Sequence, residues 1–372
     1  MLMTGLKTIK IHLGNENNFE SLMKKQSVLE SIQILRAVAA TAVVLLHARV
    51  YLYGRDLAPD LGPAFEVGRA GVDIFFVISG FIMVCVINNS FQVRGASMDF
   101  MLRRIIRIVP TYWAYTLLLA GFLIFAPQLF SGGKSIDYSH LAASLFFMPW
   151  TNSLGSLKPT LQVGWTLNYE MYFYLIVALL LLLPKRYFMG ILTCWFVGTV
   201  ALAAVIKPET TFLSFYTKPI VLEFVAGAFI ANAYLNGVKF KYPLLCLAIG
   251  SLMILATIFF DTSTSGRWYK WGIAGAFLVL GCIALEQGPS LRLPRWLVKL
   301  GDSSYSLYLS HIFTINGLGF IWGRLIGDHY WAFCIVAILA SIIVGHVAYL
   351  IFEKTATAYL NRQHKQRLKS TL

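Results

Sequence analysis

Ten apolar runs, each about as long as a hydrocarbon core is thick, divide this chain. They cover roughly residues 31–52, 71–89, 108–126, 162–183, 187–206, 215–235, 242–260, 269–286, 303–323 and 330–352. A helix of about twenty apolar residues crosses a core of about 30 Å. Lipid offers no hydrogen bonds, so each run must satisfy its own backbone, and an α-helix does so. The fold expected is therefore all-α, a polytopic transmembrane helical bundle of about ten spans. Composition agrees: 58% of the residues are hydrophobic and only 13% are charged, which no water-soluble domain of this length requires. Trp113, Tyr187, Trp268 and Trp322 stand near the ends of runs, where interfacial anchors belong.

The net charge of +14 does not point to nucleic acid, because the cations sit in short loops between apolar runs. With the N-terminus in the cytoplasm, twenty Lys and Arg fall inside and ten outside. Arg36, inside the first run, completes the 31. The two-to-one bias predicts both termini in the cytoplasm and an even number of spans. The expected division is a polar N-terminal tail over 1–30, a transmembrane domain over 31–353 and a basic cytoplasmic tail over 354–372. The first run lacks a cleavage site and reads as a signal anchor. Met23, followed by Lys24-Lys25, is an alternative translation start to Met1. The longest outer loop, 127–161, holds an apolar stretch, LAASLFFMPW, too short to span; it predicts a re-entrant or interfacial helix. Cys85, Cys194, Cys246, Cys282 and Cys334 all lie in apolar runs without a CxxC, so they read as small hydrophobes rather than metal ligands or disulfide partners.

The chemistry is concentrated in a few polar residues at membrane depth, where they are costly and usually functional. Arg36 and His47 are eleven residues apart, about three helical turns, so they share a face about 16 Å apart along the axis. A neutral imidazole there can take a proton from a hydroxyl. The alternative is a structural histidine bonded to a neighbouring helix. In RRIIRIVPTYW, Arg104 and Arg107 are three apart at the cytoplasmic start of the third run. They are either topology signal or, with Arg103, a clamp for phosphate. Pro110 predicts that the pair lies at a helix start or on the turn before it.

Asn168 and Glu170 lie in GWTLNYEMYFYLI of the fourth run, where a carboxylate must be protonated, paired or wet. In GDSSYSLYLSH, Ser304, Tyr308 and His311 share a face, and Asp302 or Ser303 is expected to cap the ninth run. In GVDIFFVISGFIM, Asp73 reads as an N-cap or a partner for an outer cation, and Ser79-Gly80 as a close-packing patch. Glu353 reads as a membrane-edge charge and His346 as structural; His140, His329 and His364 are loop or tail residues without a case for a site.

Five of these segments, in this order, resemble acyltransferase family 3, the bacterial integral-membrane O-acyltransferases. They are the Arg36–His47 arrangement, GVDIFFVISGF, the Arg104–Arg107 pair, WTLNYEMYFY and SSYSLYLSH. The likeness covers about residues 28–355 and is nearest in look to members that acetylate exopolysaccharide. It implies acyl-coenzyme A, acetyl-coenzyme A foremost, as a cytoplasmic donor substrate. It implies no permanently bound cofactor and no metal. The acceptor implied is a hydroxyl of a cell-surface or lipid-linked glycan, and the location a bacterial plasma membrane. Membrane lipids and polysaccharide-biosynthesis proteins are the other partners, with no nucleic acid among them. On this reading Arg36, Arg103, Arg104 and Arg107 hold the coenzyme phosphates. His47 is the base or transient acyl carrier, Glu170 orients it, and Tyr308 or Asn168 donates to the oxyanion. Many relatives carry an added SGNH domain; without one, direct transfer or a separate partner is expected. A transporter or flippase for a glycan or anionic solute would use the same buried groups, but no internal repeat supports it. A non-catalytic scaffold would have no reason to keep His47 and Glu170 at depth.

Overall fold

The computed structural model describes residues 29–54, 62–126, 136–152, 155–288, 293–325 and 329–370. Almost all of the N-terminal tail, the Met23 start, part of the 127–161 loop and the inside cation Arg292 lie outside the described residues. The described residues contain helices and no strands. Each of the ten apolar runs coincides with a helix: α1 (Glu30–Tyr53), α2 (Ala70–Ile87), α3 (Ala96–Phe125), α5 (Trp165–Leu180), α6 (Lys185–Ile206), α8 (Leu222–Leu235), α9 (Pro243–Phe260), α10 (Ile273–Gln287), α12 (Ser304–Leu325) and α13 (Tyr330–Ala348). Shorter helices are α4 (Tyr138–Leu145), α7 (Thr211–Tyr216) and α11 (Arg295–Asp302). Among the described residues, eight helices are long and apolar enough to cross a membrane. The two runs outside that set are α8, which is short, and α12, whose first eight residues include Ser304, Tyr305, Ser306, Tyr308, Ser310 and His311.

Helix α1 is the centre of the bundle. It packs against α2, α10, α11, α12 and α13. Its buried face is rich in small residues, with Ala37, Ala39, Ala40 and Ala48 almost wholly enclosed, and this lets several helices approach it. Ser79-Gly80 does mark close packing. A Cβ on Gly80 would lie 2.0 Å from the Phe224 carbonyl oxygen, and one on Gly227 would lie 2.0 Å from that of Val77. The α2–α8 crossing therefore requires glycine on both helices.

Several local expectations change. Helix α3 begins at Ala96, not near 108, and Pro110 lies inside it. The Arg104–Arg107 pair is thus two to three turns within a helix rather than at its start. Asp73 is not a cap: α2 begins at Ala70, and the Asp73 carboxylate binds Arg267, with Nε–Oδ1 at 2.9 Å and Nη2–Oδ2 at 2.7 Å. Ser303 does not cap α12; its hydroxyl donates backward to the Leu300 carbonyl at 3.0 Å, closing α11. Trp322 is buried against Phe333, with ring centres 5.6 Å apart, so it is a packing residue rather than an exposed anchor. The C-terminal tail is helical over α14 (Lys354–Ser370), tied to α3 by His364 Nε2 and Asp99 Oδ1 at 2.7 Å.

The segment 136–164 is built into the bundle. Asp137 caps α4 by accepting from the His140 N–H, and this contact holds the Asp137 carboxyl below its ordinary range. Tyr112 donates to the Ser144 carbonyl at 3.1 Å, and Trp113 to that of Leu145 at 2.8 Å. The His140 ring bonds the Lys158 carbonyl at 3.0 Å, a structural role. Leu161 and Val163 are buried, carrying the chain inward to α5.

Candidate active site

One cavity joins the early turns of α1, α5 and α12 to the middle of α2 and to α3 at Arg104–Ile108. Its empty space, including the open mouth, is about 820 Å³. Arg36, Arg104 and Arg107 line it together with Glu170, Tyr174 and Tyr308. Phe75, Phe76, Ile78 and Ile82 of α2 supply its apolar wall. Five helices that are far apart in the chain thus meet around one space.

The three arginines are not equivalent. Arg107 pairs with Glu353, and Ser306 donates to the other oxygen of that carboxylate. Glu353 is 0% exposed, so it is no membrane-edge charge but the buried counter-ion of Arg107. Arg104 lies over the Phe100 ring at 5.9 Å, and its buried Nε has no hydrogen-bond partner among the described residues. No ion pair of Arg36 or Arg104 occurs among the described residues. Glu170 accepts from the Tyr174 hydroxyl at 3.2 Å, and Tyr174 in turn meets the Ser79 hydroxyl at 3.3 Å. Three guanidinium groups against Glu170 and Glu353 leave the cavity with an excess of positive charge. Arg103 lies apart from this set: its Nε is 2.9 Å from Asp99 Oδ2, and it does not line the cavity.

At one wall of the cavity stands Tyr308. Its hydroxyl donates to the Val163 carbonyl at 2.8 Å and lies 3.2 Å from the Thr166 hydroxyl. Its ring is 6.1 Å from that of His311, one turn further along α12. His311 meets His47, with ring centres 4.9 Å apart and His311 Nε2 to His47 Nδ1 at 3.2 Å. His47 Nδ1 is also 2.9 Å from the Val43 carbonyl oxygen. Arg36 therefore faces the cavity while His47 lies beyond Tyr308, and Glu170 is bonded to Tyr174 rather than to His47. Asn168 is buried but does not line the cavity, and neither of its amide atoms has a partner among the described residues.

A second charged group closes the bundle near the N-terminal ends of α2 and α10. Arg267, paired with Asp73, also lies over the rings of Trp165 and Trp271 at 5.4 and 5.6 Å. The loop that carries Arg267 is held by Lys270, whose ammonium donates to Asp261 at 2.7 Å and holds that carboxyl down to about 2.

A family model described as an acyltransferase domain matches residues 29–350. The chain belongs to acyltransferase family 3. It is 34% identical over 306 residues to the exopolysaccharide production protein ExoZ of Rhizobium meliloti, covering 80% of this chain and 92% of that protein. It is 24% identical over 404 residues to the O-acetyltransferase OatA of Staphylococcus aureus, covering 95% of this chain and 63% of that longer protein. No solved structure matches it. The acyltransferase is thus an enzyme, and its several long apolar helices make it a multi-pass membrane protein.

Sequence reasoning missed three members of these clusters. His311 was visible on the Tyr308 face, but nothing in the sequence paired it with His47. Glu353 sits in IFEK like any helix-end charge. Arg267 lies in the loop between α9 and α10, and only the return of α9 to α10 brings it to Asp73.

Proposed function

We propose that this acyltransferase moves an acetyl group from cytoplasmic acetyl-coenzyme A to a hydroxyl of a cell-surface or lipid-linked glycan. The observation that carries the reading is the arginine-lined cavity whose wall, Tyr308, backs onto the His311–His47 pair. Coenzyme A presents phosphates, and guanidinium is suited to bind them in bidentate fashion. Arg36 and Arg104, without ion-pair partners among the described residues, are the primary contacts. Arg107 is oriented by Glu353, and Arg103 adds charge near the mouth. The pantetheine arm extends along the apolar wall from α2 and brings the thioester to Tyr308.

There the acceptor hydroxyl gives its proton to His47 and its oxygen bonds the acyl carbon. The carbon–sulfur bond breaks, and the thiolate leaves with the proton that His47 received. The Tyr308 hydroxyl exchanges the Val163 carbonyl for the developing oxyanion, a stabilisation that acts only in the transition state. Glu170 sets the charge of the cavity rather than the orientation of His47. The name of the exopolysaccharide production protein ExoZ supports an exopolysaccharide acceptor, and that of the O-acetyltransferase OatA supports acetyl as the group.

The enzyme is placed in the bacterial plasma membrane with both termini in the cytoplasm, on the two-to-one bias of its cations. Alkaline phosphatase fused after residue 365 should be inactive and, inserted in the 136–161 segment, active; the reverse would overturn this orientation. The reaction itself is tested with purified enzyme, labelled acetyl-coenzyme A and isolated glycan. Label should pass to the glycan as free coenzyme A appears. Glycan movement across vesicles without thioester cleavage would replace this reading with a transporter.

A further inference from the structure

The hydrogen-bond chain between α1 and α12 fixes where each imidazole proton sits. His47 Nδ1 is 2.9 Å from the Val43 carbonyl oxygen. A carbonyl offers only lone pairs, so the nitrogen facing it carries the hydrogen. His311 Nε2, 3.2 Å from the same Nδ1, must then accept as well, sharing that one hydrogen with the carbonyl. That leaves the His311 hydrogen on Nδ1, which faces the Leu307 carbonyl at 3.3 Å. Every nitrogen of the pair is now assigned except one. Nε2 of His47 keeps a free lone pair and has no hydrogen bond among the described residues.

We propose that His311 is the positioning residue of the reaction, the neutral counterpart of the carboxylate that orients histidine in hydrolase triads. It rests on the reading of His47 as the base. His311 is 0% exposed and both its nitrogens are engaged, so it touches neither donor nor acceptor. Its acceptor nitrogen holds the His47 ring with Nε2 available. As His47 gains the hydroxyl proton, its Nδ1–H becomes a stronger donor, and His311 Nε2 is already aimed at it. An ionised carboxylate in this place would be costly in the membrane interior. A second imidazole supplies the same acceptor without a resting charge.

The test compares His311→Gln, His311→Asn and His311→Phe in the full-length enzyme, reading membrane level, kcat and donor KM. The Gln carboxamide reaches the position of Nε2 and can accept from His47; the shorter Asn reaches only that of Nδ1. The expected result is a kcat lowered about a hundred-fold in His311→Phe and His311→Asn, with donor KM unchanged. His311→Gln should recover to within about ten-fold of the parent. Should His311→Phe fail to accumulate, the Gln and Asn pair decides. Equal kcat for Gln and Asn, or a donor KM that rises with the loss, makes His311 a packing residue and overturns the proposal. His47→Ala separates the two levels: an active His47→Ala enzyme removes the reading of His47 itself. An inactive one beside an unimpaired His311→Phe enzyme removes only the role of His311.

Discussion

Helices α5 and α6 follow each other in the chain and pack together, yet they are opposite in character. About 61% of the α5 span is buried, against 11% of the α6 span. The buried helix is the more polar one, carrying Thr166, Asn168, Glu170 and Tyr174. The exposed one, from Tyr187 onward, has no charged residue. In water the order would be reversed. In lipid, an unpaired polar group costs several kcal/mol, so polar helices move to the centre and apolar ones to the rim. Chemistry should accordingly belong to the inner set alone.

The largest effect expected is on His47. His47→Ala should lower acyl transfer at least about a thousand-fold, the scale of a lost general base, with the protein level in the membrane unchanged. Normal glycan acylation in that variant would show that the inner helices are not where the reaction occurs.

Next is Glu353. Its removal in Glu353→Ala strands Arg107 beside a buried apolar gap, a loss of about 3 kcal/mol. Thermal unfolding in detergent should show a clearly lowered midpoint. An unchanged midpoint would mean that Arg107 finds solvent or another partner, and that the inner charges are less enclosed than the structure has them.

The rim has its own internal contrast. Phe196 lies on the buried stripe of α6 with Phe188 and Leu192, whereas Leu202 is 58% exposed. Phe196→Ala should cost about 2 kcal/mol, less than in a water-soluble core because lipid solvates apolar groups as well as protein does. Equal effects at Phe196 and Leu202, seen by the same unfolding measurement, would erase the inside-to-outside gradient.

Arg104→Lys sharpens the comparison within the cavity. It keeps the charge, and with it the topology signal, but loses the guanidinium fork. Donor affinity by calorimetry should fall about ten-fold, equivalent to about 1.4 kcal/mol, while the unfolding midpoint holds. Unchanged affinity would reduce Arg104 to topology signal. The smallest effect is at the rim: Leu202→Ala should change stability by less than about 0.5 kcal/mol and leave transfer untouched.

The sequence by itself determined the material of this fold. Apolar runs of membrane length can only be helices, because lipid leaves the backbone no other partner. The same cost marked Arg36, His47, Glu170 and the arginines of α3 as candidates, since few reasons exist to keep such groups at depth. The local spacing of Tyr308 and His311 also followed, because residues three apart on a helix are neighbours.

Pairing did not follow. Whether Glu353 faces lipid edge or Arg107, whether Asp73 caps α2 or binds Arg267, and whether His47 answers to Glu170 or His311 each depend on how distant helices rotate and dock. Periodicity gives each helix its faces but not its neighbours. Those neighbours are set by close packing among many side chains, as at Gly80 and Gly227, where glycine alone lets two backbones approach. The sequence shows which groups are costly to bury; only the tertiary structure decides which partner offsets the cost, because that partner lies up to 264 residues away.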